Sequence, residues 1–368
     1  MDFQPTQEQD DLRAGVRALL ARRFGREALR ASVDRAEAQG AGCVDRGLWR
    51  ELGGAGFFAL RLPEADGGVG LGLAEAVLAF EEAGRALLPG PLVATHLAAG
   101  RVEGAADGTA VVTAFDLGDG DRPGGAAAAP GVLVAHLAEA DALLGGGAAA
   151  PAALLPAARP VPSADPLTPL HRVPPPGREP GAARLRDEGA LLTAALQLGS
   201  ALRTLELAVR YAGEREQFGR PIGAFQAVQH LCSGMLVRAE VARTAVYAAA
   251  VRADAADRAG AAHWAGAAHG AGGSGAAGFG AAVAAEVAGA KLLADRAAVA
   301  NARDCLQVHG GMGFTWDADV HLHLKRAWVR AEQWRTAAAA EEALAAELLA
   351  DAQGPGREGA PFARDGSL

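Results

Sequence analysis

The stretch RYAGEREQFGRPIGAFQAVQH, residues 210–230, closes one helical run and opens another. At its centre Arg215, Gln217 and Phe218 stand just before Gly219. Upstream, Leu198, Leu202, Leu205 and Val209 recur at intervals of four, three and four, the spacing of a buried stripe on a long helix. An arginine at such a helix end offers a planar fork of donors suited to pyrophosphate, and a neighbouring aromatic ring can stack on a flat ligand. Taken alone, the same residues also read as a capping arginine over a core phenylalanine.

Working outward, a second helix follows Gln226, a third runs over 282–308 with Lys291 one turn from Asp295, and a fourth fills much of 317–350. Residues 186–352 are therefore expected to form a four-helix bundle, interrupted by a Gly-rich insertion at 259–282 and followed by a tail, 353–368. Residues 1–100 read as an N-terminal helical domain. Thr6 and Gln9 have capping-box spacing, and Leu12, Val16, Leu19 and Leu20 line one face. A helix near 73–87 places Ala76, Phe80 and Leu87 on one side, with Glu81, Glu82 and Arg85 expected largely elsewhere. Between these units, residues 101–185 show short apolar runs such as TAVVTAF and PGVLVAHL broken by Gly and Pro, the pattern of a small, reduced middle β domain. The proline-rich part, 156–181, is expected to be a surface connection. The fold class is mostly α.

Of the 368 residues, half are hydrophobic and 21% charged, and the net charge is -8. That supports a core of two or three packed units and argues against a nucleic-acid binder, which needs a basic footprint. Cys43, Cys232 and Cys305 are far apart and lack CxxC spacing, so no disulfide framework or thiolate metal site is readable, and a reducing cytoplasm fits. No membrane span is expected. His309, His321 and His323 lie near Asp317 and Asp319, but residues two apart on a helix face different ways, and no metal is expected.

A second string, CLQVHGGMGF at 305–314, changes the weight of the first. Together the two resemble the paired signatures of the acyl-CoA dehydrogenase family in its C-terminal bundle. LPEADGGVGLG (62–72) and AFEEAGRALLPGPL (79–92) resemble that family's N-terminal helical domain. The resemblance implies FAD as cofactor, an acyl-CoA substrate oxidised to the 2,3-enoyl-CoA, and an electron-transfer flavoprotein as acceptor. It also implies FAD-binding roles for Arg215, Gln217, Phe218 and Gln226, the last across a subunit boundary. Gln307, Gly310 and Gly311 would approach the ADP half, where glycine lets backbone come close to phosphate.

Two departures from the family stand out. Nothing in 101–185 resembles the TEPxAGSD-like stretch that holds the flavin ring, and the register of the family's basic glutamate falls on Trp334. Removing the α-proton of a thioester requires a carboxylate. Asp254, by analogy with members that place the base on a bundle helix, is the first candidate here, and Glu332 the second. GFTWDADVHLHLKRA (313–327) is similar to the pattern of the shorter subunit in heteromeric bacterial acyl-CoA dehydrogenases. The chain is therefore expected to work as a homo- or hetero-oligomer, with a non-catalytic structural subunit and a flavin-dependent monooxygenase of the same fold as the alternatives.

Overall fold

A computed structural model describes residues 5–40, 42–117, 131–144, 151–174, 182–266 and 279–352. The N-terminal part holds α1 (Gln7–Arg23), α2 (Arg26–Gln39), α3 (Arg46–Gly54), α4 (Leu73–Arg85) and α5 (Leu92–Ala98). Local chemistry sets their starts. The Thr6 hydroxyl accepts from the Gln9 N–H at 3.3 Å while the Gln9 side chain accepts from the Thr6 N–H at 3.0 Å, closing the capping box. Asp45 caps α3 through the N–H groups of Gly47 and Leu48.

The acidic side of α4 is not a solvent face. Glu81 and Glu82 are 0% and 2% exposed, because α1, α7 (Ala182–Glu214) and α8 (Gln226–Gly266) all pack on α4 and leave it almost no free surface. The charges enter paired: Arg13 donates to Glu81 at 3.0 Å, Arg17 donates to both oxygens of Glu82, and the Tyr247 hydroxyl donates to Glu81. Where α4 meets α7 the backbones touch. A Cβ at Gly84 would lie 2.1 Å from the Leu196 carbonyl oxygen, and one at Gly199 would lie 1.9 Å from that of Glu81.

The middle region is a small β unit. Strands β1 (Val112–Ala114) and β3 (Ala142–Leu144) pair in parallel, and β2 (Val132–Ala135), β5 (Leu170–Val173) and β4 (Arg159–Val161) form an antiparallel sheet in the order β2-β5-β4. A short helix, α6 (Pro151–Leu154), precedes β4. The proline-rich segment expected as a plain connection thus supplies two strands, with Pro160 paired in β4 at a sheet edge, where a missing N–H is tolerated.

The bundle comprises α7, α8, α9 (Ala281–His309), α10 (Val320–Ala331) and α11 (Ala337–Ala352), with a two-residue hairpin, β6 (Glu216–Gln217) and β7 (Arg220–Pro221), between α7 and α8. Leu198 and Leu202 are buried as the stripe requires, but Val209 is 51% exposed, because the buried face over the last turns of α7 is the one that carries Ala208 and Ala212. The fourth helix is two helices. They part at residues 332–336, where Trp334 adopts φ 61 and its N–H leaves the helix for the Asp116 carbonyl. The Gly-rich insertion is shorter than expected: α8 continues through Gly266 and α9 begins at Ala281, and residues 267–278 lie outside the described ones. A buried ion pair, Lys291 with Asp295, and Gln197 donating to Asp295 and to the Ala327 carbonyl, both at 2.9 Å, tie α7, α9 and α10 together.

Candidate functional site

Because α8 reverses the chain between them, α7 and α9 run parallel and end at the same pole of the bundle. Tyr211 near the end of α7 stacks on His309 at the end of α9, ring centres 4.1 Å apart. A small second core of Ala208, Met235, Cys305, Leu306 and Leu324 supports this pole from below. The two strings singled out in the sequence, 95 residues apart at their starts, therefore converge.

The hairpin projects from the pole. Phe218 (φ 54) and Gly219 (φ 75) are its central residues, both in the left-handed region that a two-residue hairpin demands. Glycine adopts it freely; phenylalanine does so at a cost. The Phe218 ring is 91% exposed, touching Phe225 edge-on at 6.1 Å, while Arg220 covers the Phe225 ring at 4.2 Å. Arg215, Gln217, Gln226 and Gln307 are all exposed. Gly310 has φ 58, and a Cβ at Gly310 or Gly311 would meet nothing within 4 Å. Open glycine backbone, an exposed guanidinium and an unburied ring suit the ADP half of a dinucleotide. Leu236, Val237 and Val241 on α8, with Met312, Phe314 and Trp316 after α9, add exposed apolar surface.

The two candidate bases stand elsewhere. Asp254 is 9% exposed on α8, and its two oxygens accept from the N–H groups of Leu73 at 2.8 Å and Ala74 at 2.9 Å. It is the N-terminal cap of α4, supplied from another domain, and Gly72 is held so close that a Cβ there would lie 2.4 Å from its oxygen. Burial raises its pKa, and the two N–H groups oppose that rise. Glu332 is exposed at the end of α10.

Among the described residues, the seam between the β unit and the bundle is packed around Trp334. Trp334, 9% exposed, lies against α7 at Gly189, where a Cβ would come within 2.1 Å of its indole. Gln333 donates to Asp116 Oδ2 at 2.8 Å, and among the described residues Asp116 Oδ1 is buried with no hydrogen-bond partner. Burial pushes the Asp116 carboxyl up to about 7. Arg330, 3% exposed, donates to the Leu196 carbonyl at 3.4 Å, and Arg326 pairs with the buried Asp165. These groups surround a cavity of about 20 Å3, room for one water and not for a tricyclic ring. Asp116, Gln333 and Arg330 carry no sequence motif. Trp334 alone was marked in advance, by its register.

Comparison with known proteins agrees with this architecture. Residues 6–106 match the family model of the acyl-CoA dehydrogenase N-terminal domain, and residues 184–338 that of the C-terminal domain. The acyl-CoA dehydrogenase IpdE2 of Mycobacterium tuberculosis is 34% identical over 327 residues, covering 88% of this chain and 92% of that protein. The acyl-CoA dehydrogenase FadE34 of the same organism is 36% identical over 310 residues, 77% of this chain, which spans only 39% of FadE34's length. A chain in the ChsE4-ChsE5 complex from Mycobacterium tuberculosis superposes with TM-score 0.72 at 25% identity, covering 97% of this chain and 100% of that one. Among the described residues no helix is long and apolar enough to cross a membrane.

Proposed function

The chain belongs to the acyl-CoA dehydrogenase family, oxidoreductases acting on CH–CH bonds, and from that premise we propose that it is one subunit of an FAD-dependent acyl-CoA dehydrogenase assembled from unlike chains. It contributes the contacts to the ADP half of FAD through Arg215, Gln217, Phe218, Gln307, Gly310 and Gly311. Gln226 faces the same group across the subunit boundary.

The observation that carries this reading is the contrast between two regions of one chain. The dinucleotide pole is open, and the seam where β unit and bundle meet is sealed by Trp334 at the register of the missing base. Exposed residues at the pole suit the ADP half of FAD, whereas among the described residues the cavity at the seam is too small for its flavin ring. FAD, when bound, is the acceptor of the hydride that leaves the substrate's Cβ. The partner subunit supplies the flavin-ring contacts and the carboxylate that removes the α-proton. Asp254 serves in this chain as the clamp on α4, since both of its oxygens are engaged. The substrate is an acyl-CoA thioester, and the electrons pass to an electron-transfer flavoprotein. The ChsE4-ChsE5 neighbour, a complex of two named chains, supports an assembly of this kind.

The test is to purify the chain alone and with a candidate partner, recording flavin absorbance and its bleaching by acyl-CoA. Flavin retention and bleaching only in the complex is the expected result. Bleaching by the chain alone would refute the division of labour. A second reading, a structural subunit bracing an active partner, is favoured by the sealed seam. It predicts that Arg215→Ala leaves flavin content of the complex unchanged, whereas the first reading predicts a loss.

A further inference from the structure

Cys43 lies in the loop between α2 and α3, and His136 and Glu139 flank the turn that follows β2. The sequence keeps them 93 residues apart, yet the fold brings their side chains into one triangle. Cys43 Sγ is 3.7 Å from His136 Nδ1 and 3.3 Å from Glu139 Oε2, and those two atoms are 2.9 Å apart. Cys43 is 0% exposed and His136 is buried, while Glu139 is half-buried with its side chain 8% exposed. The backbone is committed to the arrangement. His136 takes φ 56, a left-handed conformation that a non-glycine residue enters at a cost. Glu139 Oε1 is held by the N–H groups of Gly42 at 2.9 Å and Val44 at 3.0 Å, which leaves Oε2 for the triangle.

We propose that Cys43, His136 and Glu139 form a structural zinc site fastening the N-terminal helices to the β unit. A thiolate, an imidazole and a carboxylate are the donor types zinc accepts. Bond lengths of about 2.0–2.3 Å at tetrahedral angles set neighbouring donors about 3.4–3.6 Å apart, so the observed triangle needs only a small opening between His136 and Glu139. The Leu167 carbonyl oxygen, 3.5 Å from Sγ and also accepting from Arg326 at 3.5 Å, is a further oxygen donor beside the thiol. Charge favours the same ion: one thiolate, one carboxylate and a neutral imidazole balance a divalent cation, so the buried centre carries no net charge. Nearby Arg326 is already neutralised by Asp165. Binding forms the Zn–S bond and releases the Cys43 proton to solvent, with no change of oxidation state. Without the cation that proton stays, because burial and then Glu139 raise the thiol pKa far above its ordinary value.

The test uses the full chain, stripped with a chelator and titrated with Co2+ as a spectroscopic stand-in for zinc. One equivalent should produce a thiolate-to-cobalt charge-transfer band and tetrahedral visible bands, and zinc should displace them with about one proton released per ion bound from the free thiol. Cys43→Ser and His136→Gln should abolish the band. Cys305→Ser should keep it, although Cys305 Sγ lies 3.6 Å from His309 Nδ1 and forms the competing pair. The wild-type spectrum decides the matter even if a variant does not fold. Absence of the thiolate band in the stripped wild-type chain, or its loss in Cys305→Ser alone, overturns the proposal and leaves the triangle as a hydrogen-bonded clasp.

Discussion

Replacing Gly199 by alanine tests the central contact of the fold. A glycine in an exposed helix interior usually gains about 1 kcal/mol on exchange for alanine. Gly213, on the same helix and with nothing within 4 Å of its missing Cβ, should show that gain. At Gly199 the new methyl would sit 1.9 Å from the Glu81 carbonyl oxygen, where ordinary contact begins at 3.4 Å. The obstacle is backbone on both sides, so α4 must withdraw from α7 by about 1.5 Å, and a gap of even about 1 Å forfeits up to about half of the dispersion between facing atoms. Overpacking against a partner unable to rotate away lies at the upper end of the usual range, about 3 kcal/mol. Net of the helix-propensity gain, the loss should be about 2 kcal/mol, a fall in Tm of about 3 °C for a chain of this size. Thermal melting of wild type, Gly199→Ala and Gly213→Ala side by side measures it. If Gly199→Ala melts at or above the wild-type temperature, the close crossing of α4 and α7 is wrong.

Asp116 tests the sealed seam through pH. Its folded pKa, pushed by burial to about 7, exceeds the unfolded value, so its contribution to stability is present below about pH 4 and is lost as pH rises through 7. Over that window the loss is at most about 4 kcal/mol. Asp116→Asn should therefore gain stability relative to wild type between pH 5 and pH 8, and parallel stability curves would contradict the buried carboxyl. Phe218→Gly relieves a left-handed phenylalanine that is 91% exposed. It should stabilise the isolated chain by about 1 kcal/mol and lower flavin content in the complex; stability and flavin content falling together would count against a cofactor role. Asp254→Asn leaves one acceptor oxygen for two N–H groups and should cost about 1–2 kcal/mol by denaturation. If it stops turnover of the complex without lowering stability, Asp254 is the base and not the clamp.

The helical stripes, the capping box at Thr6 and the two family-like strings were legible because each is a local pattern whose meaning depends on a few neighbouring residues. Leu198 and Leu202 are buried on a 3.6-residue period that any packed helix would show. The burial of the acidic face of α4 was not legible, for the opposite reason. Glu81 and Glu82 look like a solvent face until Arg13, Arg17 and Tyr247 arrive from helices 60 to 170 residues away. The break between α10 and α11 was hidden likewise, since the group that captures the Trp334 N–H belongs to the β unit. At the pole, the family resemblance suggested which residues would hold a dinucleotide, and the parallel run of α7 and α9 was needed to bring the two strings together. Cys43, His136 and Glu139 follow no spacing rule, because their proximity is made by a loop and a turn from different domains.

The cap that Asp254 places on α4 bears on the order in which the protein is made. A ribosome delivers α4 some 180 residues before the carboxylate that completes its first turn, and Tyr247, the hydroxyl partner of Glu81, arrives almost as late. A nascent chain halted near residue 110 would hold its amino-terminal helices with two uncapped amides and a half-satisfied acid. The leading domain of this protein is thus finished by its trailing one, and it reaches its final rigidity only after translation has passed the middle of α8.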